Sequence, residues 1–474
     1  MKKRVLAALL ASATILSVVG CSNNGDTSTS DSGNTSTSDS GNTSTGDTST
    51  GNTSTDTSTG DTTTATLSDD GETLTILAWE ENSDIVKMVD FFLKEKGYDA
   101  SKVKFVGVGA KGENARDGYK QYLLGDDDAD LMIYDADWVA DYINDDSLTV
   151  GYDAIGLTKA DFSEAFSYTL DFGTSDAGVF KAASFQATPG GFVYRADLAE
   201  QYLGVKSPAE MQELVKDWDT FQATGATLYE KSGGKTSIQA TEGGLWQVFQ
   251  SNRTQPWVVD GKLVMDNAAD FYDIAKGMLD NNSLANVPQW DAAWYNAIQD
   301  GTALGDFVPT WGLTTTGGGS ILENFTKEDE ALGKNMAICE GPSGWFWGGS
   351  YFGVAPKCDN KTLAKEFIEF YCKNADSMAA YAAETGDFMN NKKVMSEATT
   401  SNKYLNGQNH YEILVKVLDK LDLSNKLTKY DSVIKAKFNN SVAGYLDGTY
   451  ATKDDAIAAF KGEVATAFPE IVIE

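Results

Sequence analysis

The sequence predicts an α/β fold, and three observations carry the prediction. Strand-like apolar runs alternate with helix-like amphipathic stretches from residue 72 onward. Roughly 400 residues follow residue 66, enough for two sizeable cores. Composition is globular over that body, with 41% hydrophobic and 23% charged residues in the whole chain.

The first segment is an address. Lys2, Lys3 and Arg4 precede an apolar run, Val5–Leu16, that ends at Val18-Val19-Gly20-Cys21. A charged stretch, a short apolar run and small residues at its end are the parts of a secretory signal. The run is too short for a membrane-crossing helix, which needs about 20 apolar residues. Cys21 directly behind the small residues resembles the lipobox of bacterial lipoproteins. That resemblance implies a signal peptide over 1–20 and a diacylglycerol thioether on Cys21; an ordinary signal with a chance cysteine is the alternative. Residues 21–66 are then a lipidated cysteine and a tether of Ser, Thr, Gly, Asp and Asn. Such a segment cannot bury enough surface to offset its ordering entropy, so disorder is expected. As a flexible coil of about 45 residues it reaches roughly 35–40 Å.

Within the body, Glu72–Trp79 reads as a buried strand and Ile85, Val86, Val89, Phe92 and Leu93 as one face of a helix stopped at Gly97. Lys102–Val108 is a second strand. Asp130–Tyr134 is a third, leading into a short helix with Trp138, Val139 and Ile143. Strand–helix–strand alternation predicts parallel pairing. The chain restarts with Phe192–Tyr194 and a helix over Leu198 and Tyr202. Ser207-Pro208-Ala209-Glu210 is a capping box with proline at the first helical position. Further helices are predicted after Asn360, with Leu363, Phe367, Ile368 and Tyr371 on one face, and after Thr452, with Ala456, Phe460, Val464 and Phe468.

The bulk numbers exclude several functions. Formal charge is −31, and loss of Lys2, Lys3 and Arg4 lowers it to −34. So acidic a surface repels nucleic acid and anionic lipid. His410 is the only histidine, which leaves little room for triad hydrolysis or histidine-based zinc chemistry, and a surface position is expected for it. Cys339, Cys358 and Cys372 form no disulfide framework; a Cys358–Cys372 bridge is possible but unforced. Gly125–Asp130 lacks the spacing of a calcium loop and reads as solvated. Gly317-Gly318-Gly319-Ser320 lacks a phosphate-binding lysine and reads as a helix approach. No cofactor and no metal are expected.

Five segments in order resemble the extracellular solute-binding proteins of carbohydrate ABC importers, family 1, the maltose-binding type. They are Leu74–Glu80, Asp130–Trp138, Pro189–Leu198, the Ser207-Pro208 helix with Trp218-Asp219-Thr220-Phe221 carried later, and Gly348–Val354 with the helix after Asn360. The resemblance implies a periplasmic-binding-protein-like fold: two α/β lobes, a multi-segment hinge and a ligand cleft between them. Lobe one would be 67–187 plus 348–400, and lobe two 188–347 plus 401–474. It also implies a carbohydrate ligand, an ABC permease partner and a monomer held by its lipid at the extracellular face of the cell membrane.

Sugar recognition needs aromatic faces for the C–H side of a pyranose and planar polar groups for its hydroxyls. Trp79, Glu80 and Glu81 follow one strand end, and Tyr134, Asp135, Asp137 and Trp138 follow another, where α/β sheets bind ligands. Trp311 matches the family's sugar-stacking tryptophan. Trp345 and Trp347 lie in a glycine-rich run at the expected hinge. Against this stand a helix-capping Asp137, a core Trp138 and a small core under the glycine-rich run. Trp246, Trp290 and Trp294 are weaker candidates, the last two spaced as a core helix face. The expected function is saccharide capture without chemistry. The alternatives are a carboxylate-dependent glycoside hydrolase and a receptor for a non-sugar solute such as a peptide or polyamine.

Overall fold

Strand β1 (Leu74–Ala78) forms because Leu74, Ile76, Leu77 and Ala78 are all fully buried, at the middle of a sheet. The computed structural model describes residues 67–79, 83–108, 113–125, 129–314, 320–327, 330–421, 423 and 426–474. Cys21, the tether, Glu80, Glu81, residues 126–128 of the acidic run and Gly317–Gly319 lie outside the described residues.

The first sheet runs β2-β1-β3-β11-β4, with β2 at Val103–Gly107, β3 at Leu131–Asp135, β4 at Ala182–Ser184 and β11 at Ser350–Val354. Strands β1, β2 and β3 pair in parallel as predicted. Strand β11 lies antiparallel to β3 and β4, so the sheet is mixed. The cause is the route of the chain, which leaves for a second sheet after β4 and returns through β11. Buried Asp130 locks this sheet together: its carboxylate accepts the Thr75 N–H (2.7 Å), the Asp359 N–H (3.0 Å) and the Asn360 N–H (3.1 Å). It thereby satisfies the start of the helix Lys361–Cys372, where Asn360 makes no side-chain cap.

The second sheet runs β10-β5-β9-β6, with β5 at Gly190–Arg195, β6 at Ser237–Gln239, β9 at Ala303–Pro309 and β10 at Met336–Cys339. A small hairpin, β7 (Val258–Val259) and β8 (Lys262–Leu263), stands apart. Each sheet has its own aromatic-rich core. Phe92, Phe352, Phe367 and Tyr371 pack under the first; Phe192, Phe221, Trp246, Phe271 and Phe438 pack under the second. The result is two α/β lobes. Between them the chain crosses at 185–189, at 346–349 and again between the helices Lys361–Cys372 and Asp431–Leu446. The first two crossings are bonded to each other: Trp347 N donates to Thr188 O (3.0 Å), and Thr188 Oγ1 donates to Gly348 O (2.8 Å).

Several expectations need correction. His410 is fully buried, because Gly386 O and the Asn402 amide meet its two ring nitrogens (3.1 and 3.4 Å); burial lowers its pKa to about 4. Trp218–Phe221 is not carried on the Ser207-Pro208 helix. That helix ends at Leu214, and Asp217 caps a separate one, Trp218–Lys231. At Ser207 the box is half formed: Ser207 Oγ accepts the Glu210 N–H, but the Glu210 carboxylate takes the Lys206 N–H instead. Val86 turns out to solvent from the helix Ser83–Lys96. The three cysteines are buried free thiols, and burial pushes all three pKa values up. Among the described residues no helix is long and apolar enough to cross a membrane, and no His, Cys, Asp and Glu cluster could hold a metal ion.

Candidate functional site

A cavity of about 670 Å³ opens between the two lobes. On the first lobe's side it is built at the C-terminal ends of two paired parallel strands. Strand β1 ends at Ala78 and delivers Trp79; β3 ends at Asp135 and turns through Ala136 and Asp137 to Trp138. The turn is held by Asp135 itself, whose carboxylate accepts the Asp137 N–H (2.8 Å). Trp79 meets Trp138 edge-on, with ring centroids 6.4 Å apart. The helix Ser83–Lys96 adds Lys87 and Met88, and Gln186 and Asp387 come from beside the crossings.

The second lobe's side is made of two helices and the Trp311 turn. The helix Glu242–Gln250 presents Trp246, Gln247 and Gln250. The helix Asp431–Leu446 presents Ser432, Lys435, Ala436 and Asn439, spaced as a single helical face. Strand β9 runs straight into the short helix Thr310–Leu313, which carries Trp311. The Trp311 indole N–H donates to Trp347 O (3.0 Å), and the two rings meet edge-to-face at 5.3 Å.

One ion pair bridges the walls, Asp137 to Lys435 at 2.9 Å. Burial alone would depress the Lys435 ammonium, but Asp137, Asp431 and Asp135 outweigh it and hold its pKa above the ordinary lysine value. Asp135 moves the opposite way for an acid. Burial, then the charge of Asp137, raises its carboxyl to about 7, with Lys435 pulling back. Three lining side chains carry buried polar atoms with no partner among the described residues: Lys87 Nζ, Gln250 Oε1 and Asn439 Oδ1. Buried polar groups are ordinarily bonded, so these are the positions at which a polar ligand would be held.

The structure brings Trp79, Asp137, Trp138, Trp311 and Trp347 to one cavity. Asp137 is an ion-pair partner and does not cap the helix Val139–Ile143, which has no side-chain cap. Trp138 is both wall and core: only 8% exposed, it packs on Tyr119, Tyr134 and Tyr142 while an edge reaches the cavity. Tyr134 and Trp345 do not line the cavity. Tyr134 is fully buried and bonded to Thr149 (2.7 Å). Trp345 packs against Gly190, where a Cβ would stand 2.3 Å from its ring. Sequence reasoning missed Lys87, Gln186, Gln250 and the face of the helix Asp431–Leu446. It also paired Trp290 and Trp294 on one helix, but that helix begins at Ala292. Trp294 is core, donating to buried Asp306 (2.7 Å), whereas Trp290 is 52% exposed. Asp291 was the readable signal, since a helix-capping residue type there leaves Trp290 outside.

A family model described as "Bacterial extracellular solute-binding protein" matches residues 125–406. No curated protein matches the chain in sequence. Among solved structures, an extracellular solute-binding protein family 1 crystal structure superimposes with a TM-score of 0.70 at 17% identity, covering 85% of this chain and 100% of that one. The galacto-N-biose-/lacto-N-biose I-binding protein of an ABC transporter from Bifidobacterium longum, in complex with lacto-N-biose, gives 0.65 at 14%, covering 86% and 100%. The sugar-binding protein MalE from Xanthomonas citri gives 0.63 at 13%, covering 84% and 97%. At such identities the likeness is one of fold.

Proposed function

This chain belongs to the bacterial extracellular solute-binding proteins, and from that premise we propose that it captures a saccharide between its lobes and hands it to an ABC importer permease. The carrying observation is the chemistry of the cleft. Half-buried tryptophans from both walls, Trp79, Trp311 and Trp347, accompany polar side chains with buried atoms that have no partner among the described residues. Stacking faces beside unsatisfied donors and acceptors match a pyranose, which is apolar across its C–H face and polar at its rim. The volume lies within the ~300–1,000 Å³ of small-molecule pockets. Solved structures of the same fold are in complex with lacto-N-biose and with β-1,6-galactobiose.

The cleft carboxylates support binding over hydrolysis. A glycoside hydrolase needs two carboxyl groups free to flank the scissile bond. Here Asp137 is paired with Lys435, Asp135 accepts the Asp137 N–H, and Asp387 accepts from Phe388 N, Thr310 Oγ1 and the Gln186 amide. In a calorimetric screen of saccharides with chromatography of the recovered ligand, a sugar that raises the melting temperature and returns intact fits the proposal. Released reducing ends would overturn it.

The N-terminal sequence supports a lipid anchor at Cys21, with the Ser/Thr/Gly tether keeping the receptor near its permease. Cys21→Ala is expected to release the protein from the membrane with sugar affinity unchanged, read by fractionation and titration of the released form. A variant that stays in the membrane fraction would remove the anchor.

A further inference from the structure

Trp290 costs this protein more than an ordinary surface residue, and nothing in the cavity just described requires it. Its backbone sits at φ +73, in the left-handed region that a bulky side chain rarely adopts. The same loop uses that region at Asn282 and Asn286, where asparagine tolerates it. Trp290 is also 52% exposed, the largest side chain among the exposed apolar residues. Strain and exposure held together at one aromatic point to use rather than to packing.

Its neighbours say what use. The Trp290 ring lies nearly parallel to Trp311, at 14° with centroids 6.1 Å apart, and edge-on to Trp347 at 5.7 Å. From behind, buried Trp294 braces it edge-to-face at 5.2 Å. Trp311 and Trp347 line the cavity, whereas Trp290 lies outside its wall. A parallel, laterally offset pair makes a two-step staircase of ring faces, and this one leads from the cleft interior out to solvent. The fixed bracing means the outer step is already oriented before any ligand arrives, so stacking on it requires little further ordering.

We infer that Trp290 is an outer sugar subsite, stacking one further pyranose of an oligosaccharide whose inner rings occupy the cavity beside Trp311. This rests on the saccharide reading of the cleft and goes beyond it in assigning a chain longer than the cavity alone holds. The occupant is a ring with an apolar C–H face, because Trp290 offers a π face.

The test is Trp290→Ala and Trp290→Phe, titrated calorimetrically against α-glucan, β-glucan, β-xylan and β-galactan ladders from monosaccharide to hexasaccharide. In the wild type, affinity should rise with chain length up to the ring that reaches Trp290. Trp290→Ala should lose about tenfold for that length and longer, the effect of a single aromatic stacking contact. Shorter ligands should bind unchanged, and Trp290→Phe should restore most of the loss. An equal loss at every length would make Trp290 a brace for Trp311 and overturn the subsite. No loss at any length would overturn it as well. Failure of the wild type to bind any ladder would instead overturn the saccharide reading on which the subsite stands. Since Trp290 is half exposed, an unchanged melting temperature in both variants would separate ligand effects from folding.

Discussion

Asp135 ends β3 at the floor of the cleft, and its protonation should set a measurable pH dependence of stability. Burial and the charge of Asp137 lift its carboxyl from the ordinary 3.8 to about 7. The folded protein therefore keeps a proton there over a range in which the unfolded chain has released it. Stability from this group is intact at and below about pH 4. It falls as pH rises from about 4 to about 7 and is level above that, because the folded state binds more protons throughout the window. At about 1.4 kcal/mol per pH unit the displacement corresponds to ~4 kcal/mol, and partial solvent access at the cleft reduces this to ~2 kcal/mol. Asp135→Asn keeps the shape, and its amide oxygen can still accept the Asp137 N–H. Melting temperatures of variant and wild type should coincide near pH 4 and diverge as pH rises above it. Near pH 8.5 the variant should melt ~2–4 °C higher, given the small temperature shift per kcal/mol in a body of this size. Calorimetric melts across that range decide it. A difference that does not grow with pH, or a variant that loses ground at high pH, would refute the reasoning.

Two further outcomes follow from the cleft and its supports. Trp311→Ala removes a half-buried ring from the ligand wall and should weaken sugar binding by ~2–3 kcal/mol, about 30- to 150-fold, with a cooperative melt retained; unchanged affinity in a titration would take Trp311 out of the ligand wall. Gly190→Ala would place a Cβ 2.3 Å from the Trp345 ring and 2.6 Å from Val308 O, a backbone atom that cannot step aside. It should cost ~1–3 kcal/mol in urea unfolding, and a midpoint equal to wild type would show that the Trp345 run yields freely.

What the sequence disclosed followed from local pattern. Strands β1, β3 and β5 could be read because their apolar runs are continuous and end in polar turns. Trp79, Asp137 and Trp138 could be placed at a cleft because the C-terminal ends of neighbouring parallel strands are where such sheets bind. The helix Asp431–Leu446 gave no comparable signal. Ile434, Phe438 and Val442 enter the core while Lys435, Ala436 and Asn439 face the cleft, so polar residues that look like a solvent face are enclosed. His410 failed for a related reason: the groups that satisfy its ring, Gly386 O and Asn402, lie 24 and 8 residues away, and nothing in the residues beside it announces them.

Trp345 and Trp347 show where local pattern stops. They stand two apart in one irregular run, with the same residue type and the same glycine-rich setting. Yet Trp345 is core and Trp347 is cleft wall. What separates them is a missing side chain more than 150 positions earlier: Gly190 leaves on β5 the space that the Trp345 ring fills. With that ring seated inward, Trp347 is carried to the cleft side, where its backbone is tied to Thr188 through N–H and to Trp311 through C=O. Those bonds link the crossing segment directly to a ligand-wall ring. Trp290, parallel to Trp311 and edge-on to Trp347, joins the same series of contacts. The three tryptophans form one contiguous aromatic cluster. On the saccharide reading proposed above, a sugar chain lying along them would meet one continuous aromatic surface, with Trp79 and Asp137 on the opposite wall.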